Sequence, residues 1–407
     1  METDLIRAAL RPLPRPDTPR DLRFGVRAAD EALAFHRTIP GYAPTPLVSL
    51  PALAAALGTG AIRVKDESFR FGLNAFKVLG GSFALGRCCA ARLGLDPAEL
   101  SFARLTAPEA RRRLSALTFV TATDGNHGRG VAWTAARLGQ RSVVYMPAGS
   151  AAERLENIRA LGAAAEITDL SYDDAVRLAR RRAEENGWIV VQDTAWEGYE
   201  EIPAWIMQGY TTMAREIAAQ LDGDKPTHLF LQAGVGSMAG AVAAFCADCC
   251  GGVPPRIIVV EPQGADCLFR TAAAGDGALH PYPGRMETIM AGLACGEPCP
   301  LGWRVLDAWA AAFLSVPDAV AAEGMRLLAR PRGDDPAVVS GESGAVTLGT
   351  AAALLRDEGL RPLRERLGLG PDSRILCIST EGDTDRENYR RILAGAVPLS
   401  APLRWTT

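Results

Sequence analysis

From about residue 117 the chain alternates short β-branched runs with amphipathic segments, a rhythm that predicts strands covered by crossover helices in a parallel sheet. Leu117–Ala122, Ser142–Met146, Ala164–Thr168 and Trp188–Gln192 are the expected strands of this stretch. Between them, Arg129–Leu138, Ala152–Leu161 and Tyr172–Asn186 have helical periodicity, with Gly139 and Gly162 as stops. A second series follows: a long helix over Pro203–Leu221 begun by its proline, a strand over Thr227–Gln232, a helix over Ser237–Cys250 and a strand over Arg256–Glu261. Arg374–Thr380 is the last strand the pattern predicts. The sum is an α/β protein with two sheets, or one large sheet and a smaller layer. His280–Gly284 and Met290–Gly302 are long loops of the kind that carry function. Met1–Phe24, broken by Pro12, Pro14, Pro16 and Pro19, is expected to meander as an arm without a targeting sequence.

Composition narrows the class. A length of 407 residues suggests two or three domains. Lys+Arg 44 against Asp+Glu 47 leaves no positive excess for nucleic acid or for an anionic membrane surface. The longest apolar region, Leu229–Cys250, is interrupted by Gln232, Asp248 and glycines, so it reads as buried strand, turn and helix instead of a membrane span. The four histidines, His36, His127, His228 and His280, are far apart, and no local histidine-based metal motif forms. Nine cysteines, an odd count, point to reduced thiols in a cytoplasmic protein.

Three loops carry the candidate chemistry. The first, Gln232-Ala233-Gly234-Val235-Gly236-Ser237-Met238-Ala239-Gly240, follows a strand and opens a helix, where backbone N–H groups and the positive helix end can cradle a phosphate. Its glycine spacing is not that of a dinucleotide fingerprint and it lacks a Walker lysine, so a plain tight turn is the alternative. The second, Thr123-Asp124-Gly125-Asn126-His127-Gly128, also joins strand to helix and presents an acid, an amide and an imidazole together; Asp124 as a simple helix cap is the competing reading. The third holds Lys77 among Phe76, Val78, Leu79, Gly80 and Gly81, where desolvation would lower the ammonium pKa and favour a Schiff-base nucleophile.

In this order the elements resemble the pyridoxal-phosphate enzymes of fold type II, the serine/threonine dehydratase-like group. Within it they are most similar to the diaminopropionate ammonia-lyases. The resemblance is carried by Lys65–Ser68, Arg70–Lys77, Ala122–Trp133, Val191–Tyr199, Ile289–Pro298, Ser340–Val346 and Ser379–Asp385, spread over about residues 40 to 390. It implies a tryptophan synthase beta-like fold: two open twisted α/β domains with the active site between them. Residues 89–190 would form a small domain inserted into a large one, 1–88 and 191–407, and the protein would be a homodimer.

The resemblance also implies roles. Lys77 would hold pyridoxal 5'-phosphate covalently. Gly234, Val235, Gly236, Ser237 and Met238 would bind its phosphate, Asn126 its 3-oxygen, and Gly292 would lie near the ring. Thr380, with Ser379 as the fallback, would face the pyridine nitrogen; a neutral hydroxyl there weakens the electron sink and favours elimination over transamination. Asp193 and Asp124 would be α-proton bases for the L- and D-isomers of 2,3-diaminopropionate, working if partial burial raises their pKa. Thr123, Gly125 and His127 would join both aspartates around this small amino-acid substrate, His127 as a supporting residue. Cys267 and Cys295 fall where the family has cysteines and could approach each other near the site entrance, so a labile disulfide is the alternative to the reduced thiols expected there. The products would be pyruvate and two ammonia molecules. Another pyridoxal-phosphate β-eliminase or β-replacement enzyme, such as a serine/threonine dehydratase or a biosynthetic relative, is the alternative.

Overall fold

The computed structural model describes residues 5–114, 117–123, 125–251, 253–399 and 401–406. The strands are β1 (Leu5–Leu10), β2 (Leu47–Ser49), β3 (Ala61–Asp66), β4 (Thr118–Ala122), β5 (Arg141–Met146), β6 (Ala164–Ile167), β7 (Ile189–Val190), β8 (His228–Gln232), β9 (Arg256–Pro262), β10 (Ala310–Val316), β11 (Arg374–Ser379) and β12 (Arg404–Thr406). Two sheets divide them. An eight-stranded sheet runs β12-β1-β10-β9-β8-β11-β3-β2, and a four-stranded sheet runs β6-β5-β4-β7. The smaller sheet is wholly parallel, as are β10, β9, β8, β11 and β3 in the larger one. In both, strands buried on two faces read as apolar runs: every residue of β4, β8 and β10 is buried.

The second series of elements follows the pattern closely, with helices at Glu201–Gln220 and Ser237–Cys249. Pro203 stands third in its helix instead of first, still within the first turn, where a missing N–H breaks no helical bond. Gly139 ends the Asn126–Leu138 helix in the left-handed conformation at φ 71°.

Three expectations are corrected. The N-terminal segment is not only a meandering arm: β1 pairs antiparallel with β10, burying Ile6 and Ala8. Beyond Arg374–Ser379 a further strand, β12, pairs with β1. The strand expected over Trp188–Gln192 keeps only Ile189–Val190 in its ladder. There the Gln192 side chain takes over the pairing, accepting from Ala122 N at 3.0 Å and donating to Ala122 O at 3.0 Å.

Close helix packing sets the lysine. Lys77 is the N-cap of the Val78–Leu93 helix, which crosses the Glu201–Gln220 helix at Gly209; a Cβ there would lie 2.3 Å from the Leu79 carbonyl oxygen. Beside this crossing, Lys65, Glu67, Arg70 and Glu216 form a buried charge cluster, with Arg70 Nη1 2.7 Å from Glu216 Oε1 and Lys65 Nζ 2.7 Å from Glu216 Oε2. It ties β3 and the segment leading to Lys77 onto that helix.

Candidate active site

The C-terminal ends of β3, β4, β7, β8 and β11 converge on one cavity. Its walls include Phe76, Lys77, Asn126, Asp193, Tyr210, the loop 232–239, Gly292, Thr380 and Glu381. Carboxyl ends of parallel strands are where open α/β folds bind ligands, because the loops there are free to vary while the strands hold them.

Lys77 Nζ lies 2.5 Å from Asp193 Oδ2. The other oxygen of Asp193 accepts from Tyr172 Oη at 3.2 Å. Asp193 is held from behind as well: Ser237 Oγ donates to its main-chain carbonyl at 2.6 Å, and Tyr199, stacked on Trp196 at 4.2 Å, accepts from Gln192 N and donates to Val190 O. Burial pushes the Asp193 carboxyl up, as expected. The charges of Lys77 and His127 and the bonds from Lys77 and Tyr172 outweigh burial and hold it well below the usual carboxylate range. The expected rise toward neutrality is therefore absent while Lys77 carries its charge.

Across the cavity, β8 passes into the Ser237–Cys249 helix through the glycine loop. Gly236, at φ 97°, sits in the left-handed region and caps the helix without a side-chain acceptor, so the first-turn N–H groups face the cavity end. A Cβ on Gly234 would come within 3.0 Å of Cys295 Sγ, so the backbone is open to an anion only because that residue has no side chain. Gln232 Nε2 donates to Ile378 O at 2.9 Å and to Thr380 Oγ1 at 2.8 Å. The carbonyl fixes the amide's orientation, and Thr380 is left with its own O–H to donate. Ser379 instead bonds Ser340 Oγ at 2.8 Å, away from the cavity lining.

Of the residues expected from sequence, Lys77, Asn126, Asp193, Gly234, Val235, Gly236, Ser237, Met238, Gly292 and Thr380 line this one cavity. Thr123, Gly125 and His127 stand behind that lining. Thr123 Oγ1 accepts from Gly125 N at 3.0 Å, and His127 Nε2 lies 2.8 Å from Val191 O. Asp124 lies outside the described residues. Cys267 and Cys295 are buried and not joined in a disulfide. The sequence reading passed over Tyr172, Gln192, Gln232, Ser343 and Glu381. Gln192, Gln232, Ser343 and Glu381 all lie inside runs already singled out, with no role expected of them, and Tyr172 opens a predicted helix.

Gln232 Oε1, Ser343 Oγ and Glu381 Oε1 are buried beside the cavity without a hydrogen-bond partner among the described residues. Such orphaned groups, set opposite a lysine and an anion cradle, fit a polar, phosphorylated ring compound.

Fold and site together define the class: the family model described as "pyridoxal-phosphate dependent enzyme" matches residues 38–381, and the chain belongs to that family. Its fold is fold type II. Among its relatives, diaminopropionate ammonia-lyase of Salmonella typhimurium is 52% identical over 367 residues, covering 89% of this chain and 91% of that protein. The holo structure of the Escherichia coli diaminopropionate ammonia-lyase superposes with a TM-score of 0.91 at 47% identity, covering 98% of this chain and 99% of that one. Threonine deaminase isoform 2 of Solanum lycopersicum shares the fold, with a TM-score of 0.71 at 20% identity over 97% of this chain and 93% of that one.

Proposed function

We propose that the protein eliminates ammonia from 2,3-diaminopropionate, L and D, yielding pyruvate and a second ammonia. The observation that carries this reading is the Lys77–Asp193 contact at 2.5 Å, set opposite the glycine cradle in a chain so similar to diaminopropionate ammonia-lyases.

Pyridoxal 5'-phosphate, when bound, supplies an electron sink for the substrate's α-carbon. Lys77 would hold it covalently, and the N–H groups of Gly234 through Met238 would take its phosphate. Asn126 would serve its 3-oxygen, Gly292 would flank it, and Thr380 would offer its hydroxyl to the ring nitrogen. The Gln232 bond to Thr380 supports Thr380 over Ser379 in that role. When the Lys77 amine is neutral instead of an ammonium, the charge that lowers Asp193 is gone and the carboxylate regains basicity. Asp193 Oδ2 then takes the α-proton of the L-isomer, with Tyr172 keeping the carboxylate aimed. Asp124 serves the D-isomer on the strength of the sequence. Thr123, Gly125 and His127 hold the loop that receives the substrate's carboxylate. Residues 89–190 act as a small domain against a large domain of 1–88 and 191–407, a division supported by the two sheets. A homodimer in the cytoplasm completes the reading, and nine cysteines without a disulfide fit a reducing compartment. Among the described residues no helix is long and apolar enough to cross a membrane.

The test is pyruvate release from both diaminopropionate isomers, serine and threonine. Diaminopropionate is expected to be turned over fastest; equal or better turnover of serine overturns the reading. Lys77→Ala is expected to lose the near-visible absorbance band that borohydride bleaches, and Asp193→Asn to lose L-isomer turnover.

A further inference from the structure

Glu381 lines the same cavity as Lys77 and is 1% exposed. Its Oε2 accepts from Asn126 Nδ2 at 2.5 Å and from Thr384 Oγ1 at 3.1 Å. Its Oε1 has no partner among the described residues. A buried carboxylate oxygen without a donor is costly, and in a binding cavity the missing donor points to a ligand.

The backbone fixes where this oxygen stands. Ala75 and Glu381 form an antiparallel bridge, and Phe76 N donates to Thr380 O at 3.0 Å, so Glu381 is locked beside the segment that ends in Lys77. Gly341 N donates to the Glu381 carbonyl at 3.0 Å. The negative charge of Glu381 is felt next door: burial first, and that charge second, raise the pKa of Glu342, which opens on an adjoining cavity with Tyr172, Asp385 and Asn388.

We propose that Glu381 is a specificity-determining residue that receives the β-ammonium of the substrate on its free Oε1, selecting an amino acid with a second amine over one with a hydroxyl. The inference rests on the ammonia-lyase reading of this site. In that reaction Asp193 removes the α-proton, the Cα–H electron pair becomes the Cα=Cβ bond, and the Cβ–N bond breaks with its pair on nitrogen. A β-ammonium therefore departs as neutral ammonia. A carboxylate beside it favours the protonated, departing form through a charge-assisted hydrogen bond. A hydroxyl makes a hydrogen bond there but no ion pair, and a carboxylate gives it no proton with which to leave as water.

The test is Glu381→Gln in the holoenzyme, which keeps the shape and the bond from Asn126 while removing the charge. For diaminopropionate, kcat/KM is expected to fall about 100-fold, with KM raised, because a site built to bind a charged group discriminates strongly through it. Serine turnover falls by a far smaller factor than diaminopropionate turnover, and cofactor affinity and the absorbance spectrum of the bound cofactor keep their wild-type character. Equal losses for both substrates, a shifted spectrum or weaker cofactor binding would place Glu381 at the cofactor through Asn126 and overturn the proposal, as would undiminished diaminopropionate turnover. Glu381→Asp, which keeps the charge, retains the preference for the diamine, and its loss there also counts against the proposal. A wild-type enzyme inert toward diaminopropionate refutes the underlying ammonia-lyase reading directly, before any variant is compared.

Discussion

Ser237 donates its hydroxyl to the Asp193 carbonyl at 2.6 Å, so the residue that opens the phosphate-facing helix also fixes the backbone from which the proposed base hangs. One hydroxyl couples anchoring to proton transfer. Ser237→Ala removes a bond of about 1 kcal/mol and is expected to weaken cofactor binding and lower kcat together, each by roughly fivefold. Titration of the cofactor-free protein with pyridoxal phosphate, followed by steady-state kinetics, checks both.

His36 predicts the acid limb of stability. Burial, and then the charge of Arg70, pull its pKa down to about 3 from 6.5, while its ring nitrogens sit 2.7 Å from Thr212 Oγ1 and 3.0 Å from the Leu79 carbonyl. The unfolded chain therefore binds this proton first. The contribution of neutral His36 is whole above pH 6.5 and is lost as pH falls toward 3, by about 1.4 kcal/mol per pH unit. Thermal melts of His36→Gln should begin lower at pH 7 and decline more gently between pH 6 and 4 than those of the wild type.

Gly209→Ala tests the helix crossing. The added methyl meets the Leu79 carbonyl oxygen at 2.3 Å and Gly80 Cα at 2.9 Å, main-chain atoms that cannot turn aside. The expected cost is about 1–3 kcal/mol. Since Lys77 caps the displaced helix, a fall in Tm should be accompanied by reduced cofactor occupancy in the absorbance spectrum.

Arg70→Met strips the buried cluster of its central cation. Glu67 and Glu216 are then left with Lys65 alone, a loss of about 3–5 kcal/mol. Urea denaturation at pH 7 measures it, and mild acid should narrow the gap by protonating the stranded carboxylates.

Much of this architecture is legible in local pattern. The helix over Tyr172–Asn186 coincides with its predicted range because Ser171 caps one end and Gly187 stops the other. β10 was not legible, since Ala310, Ala311 and Ala312 favour a helix and become strand only through their ladder to β9. β1 likewise depends on β10, its partner some 300 residues away. At the site, the lysine, the glycine loop and Asp193 were readable because their residue types are unusual in their settings. Gln232 and Glu381 were not, because a polar residue at a strand end is ordinarily solvated; only the folded chain shows that these face a cavity and each other's neighbours.

The backbone ties among residues 74–76 and 380–382 have an evolutionary reach. Gly382 N bonds Asn74 O, and Phe76 N bonds Thr380 O, so Lys77 and Thr380 are spaced by main chain and not by side chains. Side chains at 380 and 381 can therefore be exchanged while the ruler between them and Lys77 keeps its length. Under the proposed roles, a change at 380 or 381 would alter the chemistry presented to the cavity without moving Lys77.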